Sequence, residues 1–170
     1  GDITPAQITV SGIQRVLQNL LRERISVRDF GSILEAIAEA TSTNTDLLAV
    51  TEHVRTRLAR QLCNAHLDAS GALPVVALSP NWEQAFAEAL IGNGAERQLA
   101  LEPSRLHQFV SDLRGAFERA AQAGDAPGLL TSGPVRPYVR SLVERFRPQT
   151  IVMSQNEIHP KARLRSAGAV

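Results

Sequence analysis

The chain has 170 residues, with 18 Lys and Arg against 17 Asp and Glu, and a net charge of +1 excludes any general attraction to nucleic acid or to anionic membranes. Apolar residues make up 44% and aromatic residues only 4%, so the core must be aliphatic. A single cysteine, Cys63, excludes an internal disulfide and reads as a small core residue in a reducing compartment.

No apolar run approaches the ~20 residues of a membrane helix, and no signal peptide opens the chain. An opening on Gly1 rather than Met is read as the start of a piece of something longer.

The first third is predicted to be helical. Ile13, Val16, Leu17, Leu20 and Leu21 keep the spacing that puts apolar groups on one helical face, with Ser11 as the expected N-cap. The pattern restarts after Ser26-Val27-Arg28-Asp29, where Ser26 is expected to cap, and continues through Phe30, Ile33, Leu34, Ile37 and Ala38. The polar run Thr41-Ser42-Thr43-Asn44-Thr45 should break it. A long third helix is then predicted from Asp46 to Leu67. Three amphipathic helices must pack on one another or on a neighbour.

Asp68-Ala69-Ser70-Gly71 is the expected boundary and hinge, because the residue types change after it. Leu73 to Leu78 reads as a strand whose proline places its start at an edge. Ser79-Pro80 opens a helix bearing Trp82, Phe86 and Leu90, and Gly92-Asn93-Gly94 closes it. Gln98 to Leu101 is a brief strand, and Glu102-Pro103 starts a longer helix closed by Gly124. Gly128 to Thr131 is a third strand. Ser132-Gly133-Pro134 opens a helix with Tyr138, Leu142, Val143 and Phe146 inward, and Thr150 to Ser154 is a fourth strand. The expected class is α+β: a three-helix unit over 8–69, an α/β unit of about four strands over 72–160, and a solvated basic tail over 161–170.

No constellation of residues points to catalysis. His53 and His66 lie too far apart along one helix to share a metal, and no G-x-S-x-G occurs. Asp112, Glu118 and Glu157 supply carboxylates without forming a recognisable pair. The turn at Ser132 and Gly133 follows a strand and precedes a helix, a weak candidate for anion binding against ordinary capping. It lacks the lysine and second glycine of a P-loop. Two charge clusters stand out, one from Arg22 to Glu35 and one from Glu52 to Arg60; they are either solvated faces or interfaces.

The run Val16-Leu17-Gln18-Asn19-Leu20-Leu21-Arg22-Glu23-Arg24-Ile25-Ser26-Val27-Arg28-Asp29 resembles the signature of the flagellar export-gate (FHIPEP) family and its injectisome homologues. Thr51-Glu52-His53-Val54-Arg55 with Leu58-Ala59-Arg60-Gln61 is similar to a second signature. Val152-Met153-Ser154-Gln155-Asn156-Glu157-Ile158 is similar to a closing one.

The resemblance implies the helical third and α/β fourth subdomains of a cytoplasmic tail, carried by a multi-pass protein at the cytoplasmic face of the bacterial inner membrane. It implies a nine-membered ring of copies that receives chaperone–substrate complexes and other export-apparatus proteins, with the main cargo site upstream. Neither enzyme activity, cofactor nor metal is expected, nor nucleic acid as a partner. Arg24, Arg28, Asp29, Glu52 and Arg55 are the matched polar positions expected at subunit contacts, internal bracing being the alternative. The rival readings are a stand-alone interaction module and an anion- or nucleotide-binding module built on Ser132 and Gly133.

Overall fold

The computed structural model describes residues 8–43 and 46–170. Helix α1 (Val10–Arg22) is capped by Thr9, whose hydroxyl accepts from the Gly12 N–H; Ser11, expected in that role, lies inside the helix. Its far end is a Schellman motif, with the Ile25 N–H on the Leu20 carbonyl and the Arg24 N–H on that of Leu21. The position that usually holds glycine holds Arg24, at φ +62°.

Helix α2 (Phe30–Thr41) is capped by Asp29, not Ser26, because the Asp29 carboxylate reaches the Ser32 N–H while Ser26 accepts from Arg28. The helix ends where the polar run begins; Asn44 and Thr45 of that run lie outside the described residues.

The single helix expected over 46–67 is two, α3 (Leu47–Arg57) and α4 (Ala59–Asn64). They meet at Leu58, whose φ and ψ of −99° and 18° leave the helical region while its N–H stays bonded to the Val54 and Arg55 carbonyls. The bend lets Arg55 and Cys63 both reach the segment 155–159.

A parallel four-stranded sheet follows, in the order β5 (Val152–Ser154), β4 (Gly128–Thr131), β1 (Leu73–Ala77), β6 (Leu164–Ala169). Strand residues alternate between two cores. Val75, Leu130 and Met153 face α1 to α4, whereas Val76, Leu129 and Val152 face α5 (Pro80–Ala89), α6 (Pro103–Gln122) and α7 (Arg136–Val143). The sheet is therefore covered on both sides, which explains why β1 reads as an unbroken apolar run.

Pro74 is tolerated in this interior strand. The Leu78 N–H bonds to Leu130, so even-numbered residues of β1 turn their nitrogens toward β4, which begins only opposite Val75. On the second face, Phe109 meets both Trp82 and Phe86 edge to face, with centroids 4.8 Å apart for the two phenylalanines.

Between α5 and α6, β2 (Leu90–Ile91) and β3 (Gln98–Leu99) form a separate antiparallel hairpin. Gly92 must be glycine there: its φ is +85°, and a Cβ would meet the Glu96 carbonyl at 2.8 Å.

The segment 161–170, expected as a solvated basic tail, instead supplies the edge strand β6. Arg165 is fixed by carboxylates of Asp68 and Asp125, with Nη2 at 3.0 and 2.6 Å. Hydrogen bonds, from the Ser70 hydroxyl foremost, hold the Asp68 carboxyl well below its ordinary range, and the one from Arg165 lowers that of Asp125.

The expected hinge is closely tied. The Asp68 carboxylate accepts from the Ser70 N–H, the Ser70 hydroxyl and the Ala72 N–H, and Arg163 donates to the Ser70 carbonyl. Amide exchange at Ser70, Gly71 and Ala72 is therefore expected to be as slow as in the flanking elements; fast exchange there would restore the hinge.

Candidate functional site: a buried charge cluster

Six charged side chains converge where the helical layer meets the sheet. Glu23 ends α1, Glu52 and Arg55 stand one turn apart on α3, Arg136 and Arg140 one turn apart on α7, and Glu157 lies in the short 3-10 turn after β5. Three positive charges meet three negative ones.

Arg136 is 1% exposed and spends all five of its N–H groups. Nε and Nη2 donate to Glu52 at 2.7 and 2.9 Å. Nη1 and Nη2 donate to Glu23 at 2.9 and 2.8 Å, and Nη1 also reaches the Val152 carbonyl. Arg55 forks onto Glu157 at 2.6 and 3.0 Å, and its Nη2 donates to the Val152 carbonyl. The Glu157 carboxylate accepts in turn from the Ser154 N–H, which closes a capping box.

Arg140 donates to the Thr150 carbonyl. Its Nε has no acceptor at hydrogen-bond distance among the described residues and is balanced by Glu23 and Glu144 at 3.8 and 3.7 Å.

Burial alone would raise the pKa of Glu23. The hydrogen bond from Arg136 and the charges of Arg136, Arg55 and Arg140 outweigh it and hold the carboxyl below its ordinary value. Burial likewise opposes the charge of Arg136, and Glu52 and Glu23 more than restore it. Glu23 and Arg136 are thus held ionised, and the salt links among the six side chains fix α1, α3, α7 and the turn after β5 in place. Among the described residues, no group of three His, Cys, Asp or Glu is placed to hold a metal ion.

The five positions singled out in the sequence separate here. Arg55 is 3% exposed and engaged within the chain, and Glu52 is half-buried on Arg136: both brace the fold. Arg24, Arg28 and Asp29 lie exposed on the α1–α2 connection.

The Ser132 turn does bind an oxyanion, but the chain's own. Glu83 accepts from the Ser132 N–H at 2.7 Å and from its hydroxyl at 2.6 Å, while Asn156 closes over Gly133. Cys63 is buried, its sulfur accepting from the His159 N–H.

Arg136 and Arg140 were not singled out by sequence, and Glu23 stood out only as a member of the Arg22 to Glu35 charge cluster. The available signal was the α7 pattern, in which Arg136, Val139, Arg140 and Val143 form the buried stripe while Tyr138, expected inward, is only half-buried.

The profile of the FHIPEP family matches residues 1–163. The chain is 59% identical to the flagellar biosynthesis protein FlhA of Caulobacter vibrioides, over 99% of this chain and 24% of that protein. Its fold matches that of the Chlamydia pneumoniae CdsV protein with a TM-score of 0.90 at 29% identity, covering 99% of this chain and 48% of that one. Nonameric SctV-C of EPEC matches with a TM-score of 0.87 at 24% identity, covering 96% and 49% respectively. The chain spans about a quarter of the curated relative and about half of each solved chain.

Proposed function

Because the chain belongs to the FHIPEP family, we propose that it is the ring-forming cytoplasmic end of a flagellar type III export gate, acting by self-association and protein docking and without catalysis. The family match along nearly the whole chain carries this reading. Its proposed setting is the cytoplasmic face of the inner membrane; no described helix is long and apolar enough to cross one. Export chaperones and their cargo are proposed to dock mainly on parts of the relatives that lie outside this chain. Repeated copies would multiply weak docking events through effective concentration.

The α1–α2 connection is the proposed subunit contact. Leu21 and Phe30 are 54% and 44% exposed and flank Arg24, Arg28 and Asp29, an apolar pair set among polar groups as interfaces require. Arg24 adds a second argument. Gly124 occupies the equivalent Schellman position of α6 at φ +85°, whereas α1 keeps an arginine there at a backbone cost of about 1 kcal/mol. That cost supports a use for the Arg24 side chain outside the helix.

Arg24→Gly is therefore expected to stabilise the monomer by roughly 0.5–1 kcal/mol while weakening ring assembly of a full-length gate protein carrying this chain. Urea denaturation and sedimentation velocity read the two effects. Unchanged assembly would remove Arg24 from the contact. Phe30→Asp is expected to abolish assembly and motility with little change in monomer melting temperature, and intact rings would overturn the proposed surface.

A further inference from the structure

An open bowl of about 570 Å³ lies between α4 and the segment that leads into β6. Three permanent cations ring it: Arg60, Lys161 and Arg163, with His159 between the first two. No carboxylate lines it, and among the described residues none of the three cations takes part in an ion pair, in contrast to Arg165 two residues beyond.

The bowl is built, not merely lined. His159-Pro160-Lys161-Ala162 is a tight turn closed by the Ala162 N–H on the His159 carbonyl, with proline at its second position. Cys63 accepts from the His159 N–H and pins that turn to α4. Within the turn the Lys161 N–H donates to His159 Nδ1 at 3.1 Å. With Nδ1 accepting, Nε2 is the ring nitrogen left to donate. That Nε2 stands 3.5 Å from Arg60 Nη2, which is also a donor. Two N–H groups therefore converge with no acceptor of the chain between them, and an oxygen placed there would satisfy both.

We propose that this bowl binds an acidic peptide segment of a protein partner. One carboxylate is taken between Arg60 and His159, and further acidic groups are taken by Lys161 and Arg163. Several features favour a peptide over a single phosphate. The cations are spread along the bowl, no helix N-terminus or nest of backbone N–H groups gathers them to one point, and Leu67, 40% exposed, offers an apolar contact between acidic residues. No aromatic side chain lines the bowl for base stacking, which sets nucleic acid aside. No residue of the α1–α2 connection lines the bowl, and the binding test below does not depend on ring assembly.

The test is an amide-shift titration of the folded chain with a capped hexapeptide alternating glutamate and leucine, with its lysine–leucine counterpart, and with inorganic phosphate. The acidic peptide is expected to shift amides of residues 60–67, 159 and 161–163. It should bind more weakly as salt rises, and Arg60→Gln with Lys161→Gln should reduce its affinity about tenfold or more. Both positions are exposed, so the double variant is expected to fold. The lysine peptide should leave those amides unmoved. Absence of shifts with the acidic peptide, undiminished binding in the double variant, or phosphate binding as tightly as the peptide would each overturn the proposal.

Discussion

Arg136→Met is expected to cost the folded chain about 3 kcal/mol, the lower end of what breaking a buried ion pair costs, and to lower its melting temperature by about 6–12 °C. The variant removes five hydrogen bonds and leaves Glu23 and Glu52 facing an apolar side chain. The lower end applies because those carboxylates keep 17% and 22% of their surface and so retain some water.

The effect carries a pH signature. With its folded pKa below the ordinary 4.5, Glu23 contributes stability that is fully present above that value and is lost as pH falls through the folded one. Without Arg136, burial is the largest influence left on Glu23, and it favours the protonated form. The gap between wild type and variant should therefore be widest near pH 7 and narrow as pH falls below about 4.5. Urea denaturation at the two pH values measures it, and an equal gap at both would detach Glu23 from the effect. Arg136→Lys keeps the charge without the planar fork and should recover only part of the loss.

The elements that could be read from the sequence are those whose signals are local. Ser79 and Pro80 announce α5 because a capping hydroxyl and a fixed φ suffice to start a helix, and the Ser79 hydroxyl does accept from Trp82. The strands at Leu73 and Gly128 could be read because both faces of the sheet are buried. Strand β6 could not. Leu164-Arg-Ser-Ala-Gly-Ala has one large apolar residue, and its place depends on backbone pairing with β1 and on the Arg165 clasp, neither of which leaves a pattern. The charge cluster was legible only in part. Glu52 and Arg55 stood out on α3, but their partners are 84 and 102 residues away, and proximity of that kind is created by the fold alone.

Glu157→Leu is expected to be the second severe variant, at about 3 kcal/mol, since it leaves a guanidinium that is 4% exposed with only Glu23, at 3.4 Å, as counter-charge and breaks the capping box at Ser154. Arg55→Met should cost less, because Glu157 keeps the Ser154 N–H and lies 3.8 Å from Arg136. The two together should cost no more than the worse single change, a coupling on the order of 2–3 kcal/mol. Each side chain is needed chiefly because the other is there, and replacing both removes the unpaired charge along with the pair. Simple addition of the two losses would instead place their interactions in separate networks. The double variant also separates the two roles open to Arg55. If it acts only as a brace, a full-length gate protein carrying both changes should assemble rings wherever this part is folded. If its guanidinium reaches a neighbouring copy, assembly should fail at temperatures well below the melting transition, and sedimentation velocity run beside thermal denaturation distinguishes the two outcomes.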